Sequence, residues 1–274
     1  MTAKTQWQMP TPMPAELCKA KPTPWDSIDK NNTIAEGDKD ILTEEYCKAR
    51  GIHTEQLPEP YTGCKDSPVV CLNLNPGYSK DDDDFVNKPE FVEEVQRTLT
   101  HDTDHFLWTD AQLPTSENGK QHTGCDWWLK RTATLRKQLG LESSGQPLRI
   151  FVLEYFPYHT KKRIYFSRRL HSHAYRNRLL WEAMAQEKLI VIMRGKTEWE
   201  GIKAHGLGYL LKDYPHKIEL ASDRAVYLTP GNMPVEPELQ EEQKQLQARI
   251  DATKALHWQK LIDALGKPCG GKNK

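Results

Sequence analysis

The chain has no net charge, no C-x-x-C pair, no long apolar run and no internal repeat. Lys plus Arg equals Asp plus Glu at 38 each, so overall charge marks no polyanionic partner. Any nucleic-acid surface must come from local segregation of charge. Six cysteines, at 18, 47, 64, 71, 125 and 269, stand singly. Zinc ribbons and iron–sulfur sites cluster theirs, so no cysteine metal centre is expected. The apolar runs reach about a third of the roughly 20 residues that a spanning helix needs. With no signal-peptide pattern, the expectation is reduced thiols in a cytoplasm and no membrane contact. A length of 274 residues suits one large domain with extensions, expected as a monomer.

Residues 1–60 are rich in proline and polar groups, as in Met9-Pro10-Thr11-Pro12-Met13-Pro14 and Lys21-Pro22-Thr23-Pro24-Trp25. They read as an extended arm with a short helix over 39–50, partly docked through Trp7 and Trp25. Four strand-length apolar runs follow: Val69–Leu74, Leu148–Leu153, Leu189–Met193 and Ala225–Leu228. Between them lie helix-like segments: Lys88–Leu99, Trp127–Leu139, Tyr175–Glu187 and Trp199–Leu211. Alternating strands and helices predict an α/β domain over 61–235: a central four-stranded, mainly parallel sheet in a three-layer α/β/α arrangement. Residues 236–265 carry apolar positions at helical spacing and predict a docking helix, followed by a short tail.

In such a sheet the residues beyond each strand meet at one edge, where α/β proteins place ligands. The first strand ends in Asn73-Leu74-Asn75-Pro76-Gly77-Tyr78, where Pro and Gly force a sharp turn. The second ends in Glu154-Tyr155-Phe156-Pro157-Tyr158-His159. The third gives Arg194-Gly195-Lys196-Thr197, and the fourth Thr229-Pro230-Gly231-Asn232-Met233-Pro234.

In the order and spacing of these four ends, over roughly residues 65–235, the chain resembles a divergent member of the uracil-DNA glycosylase superfamily. Leu74-Asn75-Pro76-Gly77 is similar to the first motif of its mismatch-specific and single-strand-selective branches. The resemblance implies that Asn75 positions the hydrolytic water. Many members carry a His before the Pro of the last motif to stabilise the departing base anion. Thr229 stands there in this chain, leaving Asn232, His159 or backbone N–H groups as candidates. The family's intercalating Leu corresponds to Met233, either an apolar wedge or a core residue. Where uracil-excising enzymes end the second strand with an Asn, this chain has Glu154.

An ionised carboxylate accepts hydrogen bonds and donates none. Glu154 then suits the exocyclic amine of cytosine and repels O4 of uracil. The alternatives are a scaffold pair with Arg163 or Lys196, and a base that activates water. Because excision of ordinary cytosine would destroy the host genome, the implied substrate is a modified cytosine, such as glucosylated hydroxymethylcytosine in phage DNA. That points to antiviral defence. The rivals are a general repair glycosylase for uracil or damaged bases, and an inactive DNA-binding module.

No acidic residue stands between Glu154 and Glu182. That interval holds Lys161, Lys162, Arg163, Arg168, Arg169, Arg176 and Arg178, three histidines, and Tyr158, Tyr165, Phe166 and Tyr175. A basic, aromatic-interleaved segment suits phosphate contact; the alternative is a solvated helix face. Arg194 and Lys196 add positive potential. Phe85, Phe106 and Trp108 are candidates to stack on an extruded base, and Tyr78 and Tyr158 to contact the substrate, whereas Trp127-Trp128 reads as a helix face in the core. Asn73 completes the expected substrate contacts. The run Asp81-Asp82-Asp83-Asp84 reads as a solvated loop, with a nuclease-type metal site as the lesser alternative. The expected reaction is metal-free and cofactor-free hydrolysis of an N-glycosidic bond, leaving an abasic site.

Overall fold

The computed structural model describes residues 7–20, 23–163, 168–234 and 247–266. Tyr165, Phe166 and residues 236–246 of the expected docking helix lie outside the described residues.

The strands are β1 (Ile52–His53), β2 (Tyr61–Thr62), β3 (Val69–Asn73), β4 (Ile150–Glu154), β5 (His159–Thr160), β6 (Leu189–Ile192) and β7 (Lys217–Glu219). Five form one mixed, mostly parallel sheet in the order β2-β4-β3-β6-β7, with β2 antiparallel at its edge. Every residue of β3 and β4 is buried. Strands covered on both faces read as continuous apolar runs, which is why these two were visible in the sequence.

The main helices are α1 (Glu44–Arg50), α2 (Pro89–Leu99), α3 (Thr123–Gln138), α4 (His173–Ala185), α5 (Lys196–Glu200), α6 (Leu207–Lys212) and α7 (Gln247–Gly266). Pro89 opens α2 at a position whose N–H has no helical partner. Phe91, Val95 and Leu99 then line its buried face at a spacing of four. The expected helix over 199–211 is two helices, with residues 201–206 between them.

The expected strand Ala225–Leu228 is not a strand; the parallel sheet ends in β7 instead. Val226 and Leu228 are buried while Tyr227 is exposed, so the alternation is real but no neighbour supplies a ladder. In β7 only Ile218 is buried, flanked by Lys217 and Glu219. Charged flanks suit an edge strand, and a single apolar residue gives little signal. Residues 7–60 are more than an arm: Leu17, Trp25, Ile28, Ala35, Leu42, Cys47, Ile52 and Leu57 belong to the same apolar core as the sheet. Asp38, fully buried, accepts hydrogen bonds from the Tyr158 hydroxyl (2.9 Å) and from the Ser172 hydroxyl (2.6 Å) and backbone N–H (3.1 Å).

The strand order reverses at β3. The chain moves from β3 to β4 on one side, then crosses back to β6 and β7 on the other. Right-handed crossovers send the connection after β3 to one face and that after β4 to the opposite face. The carboxyl ends of β3 and β4 therefore flank the crevice where open α/β sheets hold ligands.

Candidate active site

A cleft of about 540 Å³ opens at that crevice, within the range of small-ligand sites. Asn73, Leu74, Asn75, Pro76 and Gly77 from the end of β3 line it, with Glu154 from β4 and Arg194-Gly195 beyond β6. Trp108, His122, Thr123, Gly124, Trp127 and Trp128 form an aromatic wall, and Lys161, Lys162, Arg163 and Arg224 add cations.

The turn at Asn75 is clamped by the ribbon of β1 and β5, which pairs Ile52 with Thr160 and His53 with His159. The Thr160 N–H donates to the Pro76 carbonyl (3.1 Å). The Thr160 hydroxyl donates to the Lys162 carbonyl (2.7 Å) and so offers only a lone pair to Asn75. The Asn75 Nδ2 must face that lone pair (2.7 Å) and the Pro76 carbonyl (2.9 Å). Both contacts are acceptors, which fixes the orientation of the amide. Oδ1, which accepts no hydrogen bond among the described residues, is left as the amide's open acceptor.

Asn73 and Glu154 are opposite one another in the β3–β4 register. The Asn73 Nδ2 donates to Glu154 Oε1 at 2.9 Å. Asn73 Oδ1 and Glu154 Oε2 are buried without a hydrogen-bond partner among the described residues. Burial pushes the Glu154 carboxyl up to about 8, against the Asn73 hydrogen bond and the Arg194 charge. That direction favours a protonated carboxyl able to donate through Oε2, in contrast to the acceptor-only carboxylate expected to repel uracil O4. The scaffold alternative falls too: Arg163 pairs with Glu198, and Lys196 pairs with Glu219 at 2.7 Å.

His122 caps α3: its Nδ1 accepts from the Gly124 N–H at 3.0 Å. It packs against the rings of both Phe91 (5.2 Å) and Trp108 (4.6 Å), which also touch each other. Burial, with the His159 charge second, lowers it to about 3. It is therefore a neutral ring whose proton sits on Nε2. Gly124 is obligatory beside it, since a Cβ there would meet the Trp108 ring at 2.9 Å.

Other expected contacts lie elsewhere. Phe85 and Phe106 are core residues, with Phe85 packed on Phe91 and His122. Tyr158 is fully buried, donating to Asp38 and accepting from the Ala35 N–H. Tyr78 stacks on His53 at 3.4 Å, donates to Asp83 and sits under the Lys161 ammonium, outside the cleft lining. Met233 is fully buried and is no wedge. Asn232 is a staple: its Oδ1 accepts from Ser222 N–H (3.0 Å), and its Nδ2 donates to the carbonyls of Ala225 (2.7 Å) and Tyr227 (3.1 Å). Thr229 is half-buried and does not line the cleft. That loop contributes Asp223 and Arg224 instead of the expected Thr229, Asn232 and Met233.

The basic segment is divided in the same way. Lys161, Lys162 and Arg163 reach the cleft. Arg168 is exposed over the Tyr46 ring, and Arg169 is exposed outside the cleft. Arg176 is buried, bonded to Asn177 Oδ1 and the Tyr155 carbonyl, and Arg178 pairs with Glu182 at 2.8 Å. His159 is buried behind the cleft, with Nδ1 donating to the Gly77 carbonyl at 2.6 Å. In the acidic run, Asp82 is buried and accepts from the Thr123 N–H (2.8 Å) and hydroxyl at the start of α3. Asp83 accepts from Gln56 (3.0 Å) and Tyr78 (3.1 Å). Two members of the run are thus structural acceptors, not a solvated loop.

Sequence reasoning missed Glu59, His122, Thr160 and Trp127. An adjacent Trp pair on a helix is offset by about 100°, so both rings cannot point into one core face. That was the signal for Trp127, which lies under the guanidiniums of Arg131 (4.5 Å) and Arg194 (5.6 Å). Compared with known proteins, the chain matches no family model, no curated protein and no solved structure.

Proposed function

We propose that this protein is a DNA glycosylase of the uracil-DNA glycosylase kind, built on the three-layer form of that fold. It hydrolyses the N-glycosidic bond of a flipped base and leaves an abasic site. The observation that carries this reading is the clamped Asn75 amide, which presents an acceptor for water at the switch point beside the Asn73–Glu154 pair. Trp127 offers a stacking face to an extruded base, whose removal from the helix costs a few kcal/mol; Trp108, expected to do so, is buried against His122 and Phe91. Lys161, Lys162, Arg163, Arg194 and Arg224 supply phosphate contacts.

The neutral Glu154 hydroxyl and the Asn73 carbonyl form an adjacent donor and acceptor. They match N3 and the amine of cytosine, and equally O4 and N3–H of uracil. A modified cytosine, excised in defence against phage, remains the leading substrate on genome-safety grounds. Uracil is the second reading, favoured by the neutral Glu154. A panel of oligonucleotides carrying uracil, hydroxymethylcytosine or glucosylated hydroxymethylcytosine, treated with alkali, is expected to show abasic product for at least one. Binding without product across the whole panel would assign the chain to the inactive class. Exchanging Lys161 and Lys162 for Ala is expected to reduce the log–log salt slope of DNA binding by about one unit each, at similar cost for all sequences.

A further inference from the structure

Of the titratable side chains that line the cleft, Lys161, Lys162 and Asp223 are exposed, while Glu154, His122 and Glu59 sit in its wall and floor and can carry an exchangeable proton to a base. Glu154 is tied to Asn73 through Oε1, and His122 is a neutral ring held by Gly124. Glu59, just ahead of β2, has no role in the chemistry described so far. Its side chain is 14% exposed, lines the cleft, and has Oε1 3.3 Å from His159 Nε2. Behind it, Glu59, Asp82, His122 and His159 share a gap of about 10 Å³, at the lower limit for one water. The proton on this carboxyl is therefore screened from bulk solvent on the inner side.

Burial, followed by the charges of Glu154 and Asp82, pushes Glu59 well above the usual carboxylate range, against a hydrogen bond from Trp108. Burial lowers His159 in turn, opposed by the carbonyls of Gly77 and Leu57. Both directions favour neutral partners, with the shared proton on Glu59. The hydrogen-bond geometry of His159 nevertheless suits the charged ring, since a neutral one leaves a nitrogen lone pair facing a carbonyl. Its Nδ1 meets the Gly77 carbonyl at 2.6 Å, and its Nε2 meets the Leu57 carbonyl at 2.9 Å. After Glu59 gives its proton to the base, the proton released by the attacking water can rest on His159, whose imidazolium donates to both carbonyls beside the carboxylate until Glu59 is restored.

We propose that Glu59 is the proton donor to the departing base and that His159 is the positioning residue that holds and balances it. This rests on the glycosylase reading above. Water adds its oxygen to C1′, and the C1′–N bond breaks with its electron pair passing to the base. Glu59 gives that base its proton, and the proton released by the water restores Glu59. A neutral leaving group replaces an anion, which supplies the help that Thr229 cannot.

A general acid matters most when the leaving group is poor. The test is single-turnover excision by the full chain on two pairs of oligonucleotides: uracil with 5-fluorouracil, and 5-hydroxymethylcytosine with 5-formylcytosine. Glu59→Gln, which copies the shape of the neutral acid, is expected to lose on the order of 10²–10⁴-fold on the poorer leaving group of an accepted pair. The loss on the better one is expected to be smaller by about tenfold or more, with Glu59→Asp restoring part of the ratio. His159→Gln is expected to keep the leaving-group trend but move the pH at which activity falls. The groups facing Glu59 there are Asp82, His122, Glu154 and His159. Equal losses on both members of a pair, or no loss, would overturn the role of Glu59 while leaving the glycosylase reading intact. Absence of product from wild type on all four, and on glucosylated hydroxymethylcytosine as well, would overturn both.

Discussion

Asn75→Ala is expected to lower excision on the order of 10²-fold or more while DNA affinity changes little. The rate figure follows from what the amide does: it places a water, and a misplacement of about 1 Å costs roughly that factor. Affinity is expected to be retained because the proposed phosphate contacts come from Lys161, Lys162, Arg163 and Arg194, not from the turn. The clamp adds a second arm to the experiment. Thr160→Val removes the lone pair that fixes Nδ2, so the amide can invert and spend Oδ1 elsewhere. An intermediate loss is expected. Asn75→Asp is no substitute, because a carboxylate oxygen would face the Thr160 lone pair and the Pro76 carbonyl, both acceptors. Single-turnover rates with fluorescence anisotropy on the same duplex separate the two quantities. Parallel loss of rate and affinity in Asn75→Ala would make the turn a structural element of binding and remove its chemical role.

The parts of this site that were legible in the sequence are those made by contiguous residues at the ends of buried strands. Val69–Asn73 and Ile150–Glu154 announce themselves by unbroken apolar character, and the side chains just beyond them, Asn75 and Glu154, follow by position. The same logic failed at Ala225–Leu228. Buried alternation there reflects a loop pressed on the core, and Asn232 staples that loop while Met233 fills the interior. The remaining site residues arrive from elements with little signal of their own. Glu59 precedes a two-residue edge strand, Thr160 sits in a two-residue ribbon, and His122 caps a helix. None is chosen by periodicity; only tertiary packing brings them to the crevice. Charge segregation misled for a related reason. Net sign along a segment does not say which cations face out, and Arg176 is among the buried ones.

Glu154→Gln is expected to abolish the pH dependence that this carboxyl imposes on folding. Its folded value of about 8 lies above the unfolded value near 4.5. Between those limits the unfolded chain has released a proton that the folded chain still holds, so stability falls as pH rises from roughly 4.5 to 8 and levels off above. At 1.36 kcal/mol per unit, the full contribution is at most about 5 kcal/mol. Gln does not titrate, and its Oε1 can accept from Asn73 while Nε2 keeps a donor at the cleft floor. The variant should therefore gain on wild type between pH 5 and pH 9 by up to several kcal/mol, measured by denaturant melts at both pH values. The burial that raises Glu59 is common to both proteins and cancels in that difference, whereas the part due to the Glu154 charge is lost in the variant. Activity decides the chemical state directly. If Glu154 donates from its neutral form, Glu154→Gln retains excision at pH 7 and loses the part of the alkaline decline that Glu154 imposes, leaving the part set by Glu59. If the ionised carboxylate reads the base or activates water, wild-type excision rises through pH 8 and the Gln variant is inactive throughout. The two cases predict opposite slopes over the same pH interval, so one profile on one accepted substrate separates them.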